Sequence, residues 1–491
     1  MHGMRSVPAL LCLLLLLGCG RAREPVPAPM VATGAVAPLE REPAELSLAH
    51  FARMRLEGTD FLLGDVLADT DAYVRHAITY RSNGLLISGI MNIPKGDGPF
   101  PLVIFNHGYI DPAVYTQGRG LKREQDALAR RGFAVLHTDY RGHAGSDPSP
   151  NRGEVYDGAL EYAMDSLNAI DAVRRAAVPR VDASRVGMLG HSMGGGVTLA
   201  ILTAHPDAVA AAVLYAPVHA DVWENYSRWR SKRDQSRDRT TAVLGTRATN
   251  PTAWNALSPQ SMLHKIAVPV LVFQGGRDAD VPEAWSDDLV ARLRDADKDV
   301  AYVEYAAEGH EFAAQWTDFI ERTATFFGEH LGEPLVPPMD PARVTLKPFG
   351  IRVDPADSPV QPERFSGYHT GIDFEAPEDG SPSVRAACTG PIIERRMAQG
   401  YGGVAVQRCM RAGRTWTVVY GHVALASVPP LGAVVQAGEP MATLGAGFSP
   451  ETDGERPHLH FAVHRGDTVD LRGYVPREVD LRNWLDPLTL F

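Results

Sequence analysis

Val186-Gly187-Met188-Leu189-Gly190-His191-Ser192-Met193-Gly194 is an apolar, strand-like run that ends in a G-x-S-x-G turn and leads into a helix-like run of small residues. Glycine on both sides lets the backbone turn sharply enough to expose the serine hydroxyl. The same alternation of short apolar runs and helix-like stretches extends outward in both directions. Pro101-Leu102-Val103-Ile104-Phe105, Phe133-Ala134-Val135-Leu136, Ala211-Ala212-Val213-Leu214, Val268-Pro269-Val270-Leu271-Val272-Phe273 and Val300-Ala301-Tyr302-Val303-Glu304-Tyr305 are the other strand candidates. Continuous apolar strands separated by helices form a parallel sheet covered on both faces. Residues 45–332 therefore read as a doubly wound α/β domain with a mostly parallel sheet.

A serine hydroxyl is a weak nucleophile until a general base takes its proton, and the base needs an orienting acid. Asp278, in Gly275-Gly276-Arg277-Asp278-Ala279-Asp280-Val281-Pro282, follows one apolar run; His310, in Glu308-Gly309-His310-Glu311-Phe312, follows the next. Strand ends deliver such side chains to one edge of the sheet. Asn106-His107-Gly108-Tyr109 follows an earlier strand. The backbone N–H groups of Tyr109 and Met193 are the expected oxyanion donors, each worth roughly 3–4 kcal/mol. Asp280 is a nearby alternative to Asp278, and His107 and His191 read as turn or supporting residues.

From about residue 75 to 332 these motifs resemble the α/β-hydrolases, especially the prolyl oligopeptidase and dienelactone hydrolase-like branches. The resemblance assigns Ser192 as nucleophile, Asp278 as acid and His310 as base. It implies a serine hydrolase for a small ester or peptide substrate. Too few residues precede position 75 for a β-propeller, so a propeller-gated peptidase is not expected. Residues 221–262 fall where this fold carries a lid; Trp223, Tyr226, Trp229 and Trp254 either line a pocket there or anchor the lid.

Glu333-Pro334-Leu335-Val336-Pro337-Pro338-Met339-Asp340-Pro341 breaks the pattern, and residues 333–344 read as a linker. Beyond it, residues 345–491 show short strands, many glycines and few helical periods, the texture of a compact all-β domain. His369-Thr370-Gly371-Ile372-Asp373 places a histidine and an aspartate four apart, and in a strand-rich segment residues an even number apart point the same way. His458-Leu459-His460-Phe461 places two histidines two apart, and His422 ends the apolar run before it. A catalytic zinc takes three protein ligands and keeps one position open; His369, Asp373 and one histidine of the pair supply three.

This set resembles the LytM and lysostaphin class of zinc endopeptidases over about residues 345–490. The resemblance assigns His369, Asp373 and His460 as ligands of one zinc ion, and His458 and His422 as catalytic histidines. It implies peptidoglycan peptides as substrate. Pro391 and a long acidic loop, residues 445–457, depart from the usual pattern. Arg364, shortly before His369, is given no catalytic role.

The N-terminal residues read as an address. Arg5 precedes an apolar run too short to cross a bilayer about 30 Å thick, the form of a secretory signal. Leu16-Leu17-Gly18-Cys19 resembles a bacterial lipobox, which implies lipidation at Cys19 and a lipid anchor in the cell envelope. Gly20, rather than Asp, follows the cysteine, which by resemblance to enterobacterial lipoprotein sorting implies the outer membrane, facing the periplasm. Residues 1–19 are then signal, and the Pro- and Ala-rich residues 20–44 a tether. Cys388 and Cys409 remain in the folded part, flanking a turn-like stretch. They read either as a disulfide, which an envelope location permits, or as two small buried hydrophobes. A net charge of −11 argues against a nucleic-acid partner, which needs a basic surface. The expected whole is an envelope-anchored bifunctional hydrolase. The competing reading is a peptidoglycan-binding or amidase-activating envelope protein in which only the serine site does chemistry.

Overall fold

The computed structural model describes residues 45–96, 98–151, 154–232, 238–376, 382–411 and 414–491. Cys19, the signal segment and the tether lie outside the described residues.

Nine strands form the first sheet: β1 (Gly58–Asp69), β2 (Tyr73–Ser82), β3 (Leu85–Pro94), β4 (Phe100–Asn106), β5 (Ala134–Thr138), β6 (Val181–His191), β7 (Ala211–Tyr215), β8 (Val270–Gly275) and β9 (Val300–Tyr305), in the order β1-β2-β3-β5-β4-β6-β7-β8-β9. Every pairing from β5 to β9 is parallel. The alternation of side chains along a strand divides the core in two. Leu102, Ile104, Leu214 and Val272 face one layer of helices, which includes Leu160–Ala176 and Met193–Ala204. Val103, Phe105, Val213 and Phe273 face the other, which includes Trp316–Leu331. The fold class read from the sequence is the one observed. The antiparallel edge β1-β2-β3 was not among the anticipated strands.

After β7 come the short helices Val222–Arg228, Thr240–Leu244 and Pro251–Leu257. Trp254 is fully buried. Its ring lies 4.8 Å from that of Trp223 and 5.1 Å from that of Tyr226. These aromatics pack on one another and anchor the segment.

The remaining residues build antiparallel sheets. Its strands are β10 (Arg352–Val353), β11 (Gly367–His369), β12 (Ile372–Glu375), β13 (Ser383–Arg385), β14 (Gly390–Ala398), β15 (Gly402–Arg411), β16 (Arg414–Gly421), β17 (Val434–Val435), β18 (Pro440–Thr443), β19 (His458–Arg465), β20 (Tyr474–Val475) and β21 (Trp484–Leu485). The main sheet runs β12-β19-β16-β15-β14-β17, with β21 against β19, and β10-β11-β20 form a separate small sheet. Phe374, Trp416, Tyr420, Leu459 and Phe461 fill the core on one side. Leu335 and Met339, from the stretch read as a linker, pack into that same core.

β14 and β15 form an antiparallel hairpin around the turn at 399–403, and Cys388 and Cys409 are joined by a disulfide with Cα atoms 5.8 Å apart. Closing a loop of this length restricts the unfolded chain by about 3 kcal/mol in the chain-entropy account. Pro391 pairs with Val434 of the two-residue strand β17, next to a register shift between Ile392 and Glu394. A missing N–H is tolerated at such an irregular edge.

Candidate active sites

β6 runs directly into Ser192, the residue before the helix Met193–Ala204. Ser192 has φ +56° and ψ −119°, a strained conformation for a residue with a side chain. The turn leaves no room for Cβ atoms at its flanks: one at Gly194 would stand 1.9 Å from the Asn106 carbonyl oxygen, and one at Gly190 2.3 Å from that of Gly194. The serine N–H donates to the Tyr215 carbonyl at 3.0 Å, which fixes the turn to the end of β7.

Asp278 and His310 follow β8 and β9 and meet: His310 Nδ1 is 2.7 Å from Asp278 Oδ2. The other oxygen of Asp278 accepts the N–H groups of Asp280 (2.9 Å) and Val281 (2.8 Å). Burial works to raise this carboxyl's pKa. The hydrogen bonds from His310 and the two amides outweigh that and hold it below the ordinary carboxylate range. Asp280 meets Asp278 through its backbone N–H, and Asp278 is the carboxylate hydrogen-bonded to His310. Ser192, His310 and Tyr109 line one cavity of about 240 Å³. Met193 opens the following helix, where first-turn N–H groups have no intrahelical acceptor.

His191 and His107 support the turn. His191 Nε2 bonds the His310 carbonyl at 3.2 Å, and His107 Nδ1 bonds the Gly108 carbonyl at 2.7 Å. Burial pushes each of their pKa values down to about 3. A histidine whose folded pKa lies below its unfolded value of about 6.5 refuses a proton that the unfolded chain accepts. Stability is then lost as pH falls below 6.5, by about 2 kcal/mol per histidine at pH 5. Urea midpoints should therefore drop between pH 7 and pH 5; equal midpoints would contradict the burial of these rings.

The second cluster assembles from four strands. In the antiparallel β12–β19 pair, Asp373 lies directly opposite His460 and Glu375 opposite His458, so these side chains share a face. His369 arrives differently. It ends β11, in the small sheet, and a bend at Gly371 separates it from β12. A continuous strand across the two residues was expected; the chain instead changes sheet between them, and tertiary packing rather than even spacing brings them together.

His369 Nε2 lies 3.0 Å from His460 Nδ1 and 3.3 Å from Asp373 Oδ1, and His460 Nδ1 lies 3.3 Å from the same oxygen. His369 Nδ1 bonds the Pro348 carbonyl at 3.2 Å, which leaves the lone pair on Nε2 facing the cluster. Two imidazole nitrogens and a carboxylate converging this closely repel unless a cation or proton lies among them. Tetrahedral zinc with bonds near 2.0–2.2 Å spaces its ligand atoms by about 3.3 Å, so the three atoms fit that ion.

His422 follows β16, and its ring centre is 4.3 Å from that of His458. His458 Nδ1 bonds the Arg456 carbonyl at 2.9 Å, and its Nε2 lies 3.4 Å from Asp373 Oδ2. Burial lowers the His458 pKa to about 4, and burial with the neighbouring His458 takes His422 well below its ordinary value. Both rings are thus neutral near pH 7. The cluster forms one wall of a cavity of about 270 Å³ that Tyr401, Tyr474 and Arg456 also line.

Several residues of this site were not read from the sequence. Arg456 donates from Nη2 to Asp373 Oδ2 at 3.1 Å, and from Nε and Nη2 to both oxygens of Glu375 at 3.0 and 2.7 Å. Lys347 is buried against Glu363 at 2.6 Å and donates to the Tyr474 hydroxyl at 3.0 Å. Arg364, given no catalytic role, holds the acidic loop through Glu455 at 2.7 Å. Of these only Arg456 left a signal in the sequence, standing two residues before His458 and so on its face of an extended chain.

The sequence model of the prolyl oligopeptidase family matches residues 120–334, and that of peptidase family M23 matches residues 367–471. Dipeptidyl aminopeptidase BIII of Pseudoxanthomonas mexicana is 30% identical over 255 residues, covering 48% of this chain and 35% of that protein. The uncharacterized peptidase YtmA of Bacillus subtilis (strain 168) is 26% identical over 251 residues, 51% of this chain and 91% of that protein. A solved puromycin-hydrolyzing peptidase of Mycobacterium tuberculosis aligns with a TM-score of 0.44 at 23% identity, over 54% of this chain and 40% of that one. The chain thus spans about a third of the length of the first of these relatives. With Ser192 inside the first match and the His/Asp/His cluster inside the second, the chain joins an α/β-hydrolase domain of the prolyl oligopeptidase family to a domain of peptidase family M23, both of them hydrolase families.

Proposed function

We propose that this chain is an envelope-anchored bifunctional hydrolase: a zinc-dependent endopeptidase for peptidoglycan peptides at the His369/Asp373/His460 site, and a serine esterase or peptidase at Ser192. The observation that carries the reading is the convergence of His369 Nε2, Asp373 Oδ1 and His460 Nδ1 within 3.0–3.3 Å of one another. Asp373 and His460 line a cavity that two further histidines, His422 and His458, also line. Residues 45–332 and 345–491 are taken as the two catalytic domains, and Cys19 as the lipidated residue that keeps both within reach of the wall.

At the serine site, His310 takes the hydroxyl proton of Ser192 as the oxygen attacks the carbonyl carbon. It later returns that proton to the leaving group. Asp278 fixes the ring so that Nδ1 carries hydrogen and Nε2 is free to accept. The N–H groups of Met193 and Tyr109 receive the developing oxyanion. Water then releases the acyl group from the serine by the same path.

At the second site, a zinc ion bound by the three ligands would lower the pKa of a water toward about 7 and polarise the scissile carbonyl. His458 is neutral, with Nδ1–H committed to the Arg456 carbonyl, so its Nε2 accepts the proton of the attacking water. His422, also neutral and beside it, supports the developing oxyanion or the leaving amine. Arg456 holds the second oxygen of Asp373 and leaves the first for the metal.

His458→Ala tests these roles. The variant is expected to retain stoichiometric zinc and to release peptides from peptidoglycan about 100- to 10,000-fold more slowly, the span typical of a lost general base. Unchanged release would remove His458 from the mechanism. A zinc-loaded wild type that releases nothing would favour the groove as a binding surface only.

A further inference from the structure

Glu375 and Asp373 occupy one edge of the Arg456 guanidinium, through Nε and Nη2. Its remaining nitrogen, Nη1, has no hydrogen-bond partner among the described residues, and the side chain lines the metal cavity beside His458. A guanidinium needs no such double clamp merely to neutralise one carboxylate. Glu375 fixes the plane of the group, and fixing it aims the two N–H bonds of Nη1.

The other charges at the cavity are already matched. The Lys347 ammonium is buried against Glu363 and the Tyr474 hydroxyl, and Glu455 is held by Arg364 at 2.7 Å. Lys347 keeps at most one N–H beyond those given to Glu363 and Tyr474, on a buried side chain, whereas Arg456 keeps both N–H bonds of Nη1. A rigid guanidinium in a partly enclosed site matches a carboxylate better than a neutral amide, because charge-assisted hydrogen bonds are shorter and stronger.

We infer that Arg456 is a specificity residue that binds a free carboxylate of the peptide substrate, next to the bond being cut, through its uncommitted Nη1. This rests on the endopeptidase reading of the site and deepens it. The preferred substrates are acidic peptides with a carboxylate close to the scissile bond.

The test uses cross-linked stem peptides released from peptidoglycan by a glycosidase, with their carboxylates either free or converted to carboxamides with carbodiimide and ammonia. Two quantities are measured: kcat/KM of the zinc-loaded chain, and equilibrium binding to the chelator-stripped chain, where no metal can attract the carboxylate. Wild type is expected to favour the free acids by about 10- to 100-fold in both, the worth of a charged hydrogen bond, with the kinetic difference carried by KM. Arg456→Lys keeps a cation against Glu375 and Asp373 but spends its ammonium on them. It should retain zinc and lose the preference.

Equal handling of the two peptide forms by wild type overturns the inference. So does a preference that persists in Arg456→Lys, which would leave Arg456 as a support for Asp373 alone. If neither form is cleaved but the stripped chain still selects the free acid, the endopeptidase reading fails and the carboxylate site stands.

Discussion

Ser192→Ala is expected to abolish labelling of the chain by a fluorophosphonate probe and to lower its ester or amide hydrolysis by about 10⁴- to 10⁶-fold. Metal-dependent release from peptidoglycan should be left intact. The magnitude follows from the unit the three residues form. His310 is held by Asp278 at 2.7 Å, and Asp278 by two backbone amides; without the hydroxyl, this machinery has nothing to deprotonate. The cost in stability should be small, because the strain at Ser192 belongs to the backbone, at φ +56°, and alanine inherits it. The variant should therefore fold and separate the two activities cleanly. Labelling that survives the substitution would remove Ser192 from the role of nucleophile.

His460→Ala should cost the second site its metal. Three protein ligands are the fewest a catalytic zinc normally keeps. Removing a supporting partner alone costs about 10- to 100-fold in affinity, so losing a ligand should cost at least about 100-fold. Deletion also leaves Asp373 facing His369 with one neighbour fewer in a fully buried pocket. Competition with a chromogenic chelator measures the affinity. A second readout is thermal: zinc should raise the melting temperature of wild type, since a ligand bound only by the folded state stabilises it, and should not raise that of the variant. Wild-type affinity in His460→Ala would exclude His460 as a ligand.

Much of both sites was legible in the chain because their chemistry is local. Gly190-His191-Ser192-Met193-Gly194 combines a strand, a turn and a helix within a few residues, and each link leaves its own mark. The spacing of Asp278 and His310 after consecutive apolar runs carries the same kind of information, since parallel strands end at one edge. His458 and His460 share a face through period-two geometry alone.

What escaped the sequence depends on long-range register. β1, β2 and β3 pair antiparallel at the edge of the sheet, where β1 is largely exposed. β1 and β2 lack the continuous apolar runs that mark strands buried on both faces, and in β3, which is buried, Ser88, Gly89 and Asn92 interrupt the run. The clamp of Arg456 on Glu375 and Asp373 joins residues about 80 positions apart, and only the β12–β19 pairing aligns them. His369 and Asp373 meet by a different geometry from the one their even spacing suggests: the chain bends between two sheets. The buried pair Lys347–Glu363 offers no sequence signal, since charged residues are ordinarily solvated.

The most direct test of the central claim is mass analysis of soluble fragments released from peptidoglycan by the chain as purified, after chelation, and after zinc is restored. The account predicts fragments ending at a cleaved peptide bond with the loaded protein, none after chelation, and their return with zinc, with the same pattern in Ser192→Ala. Identical fragments in the presence of chelator, or none from a chain carrying a full complement of zinc, would contradict it.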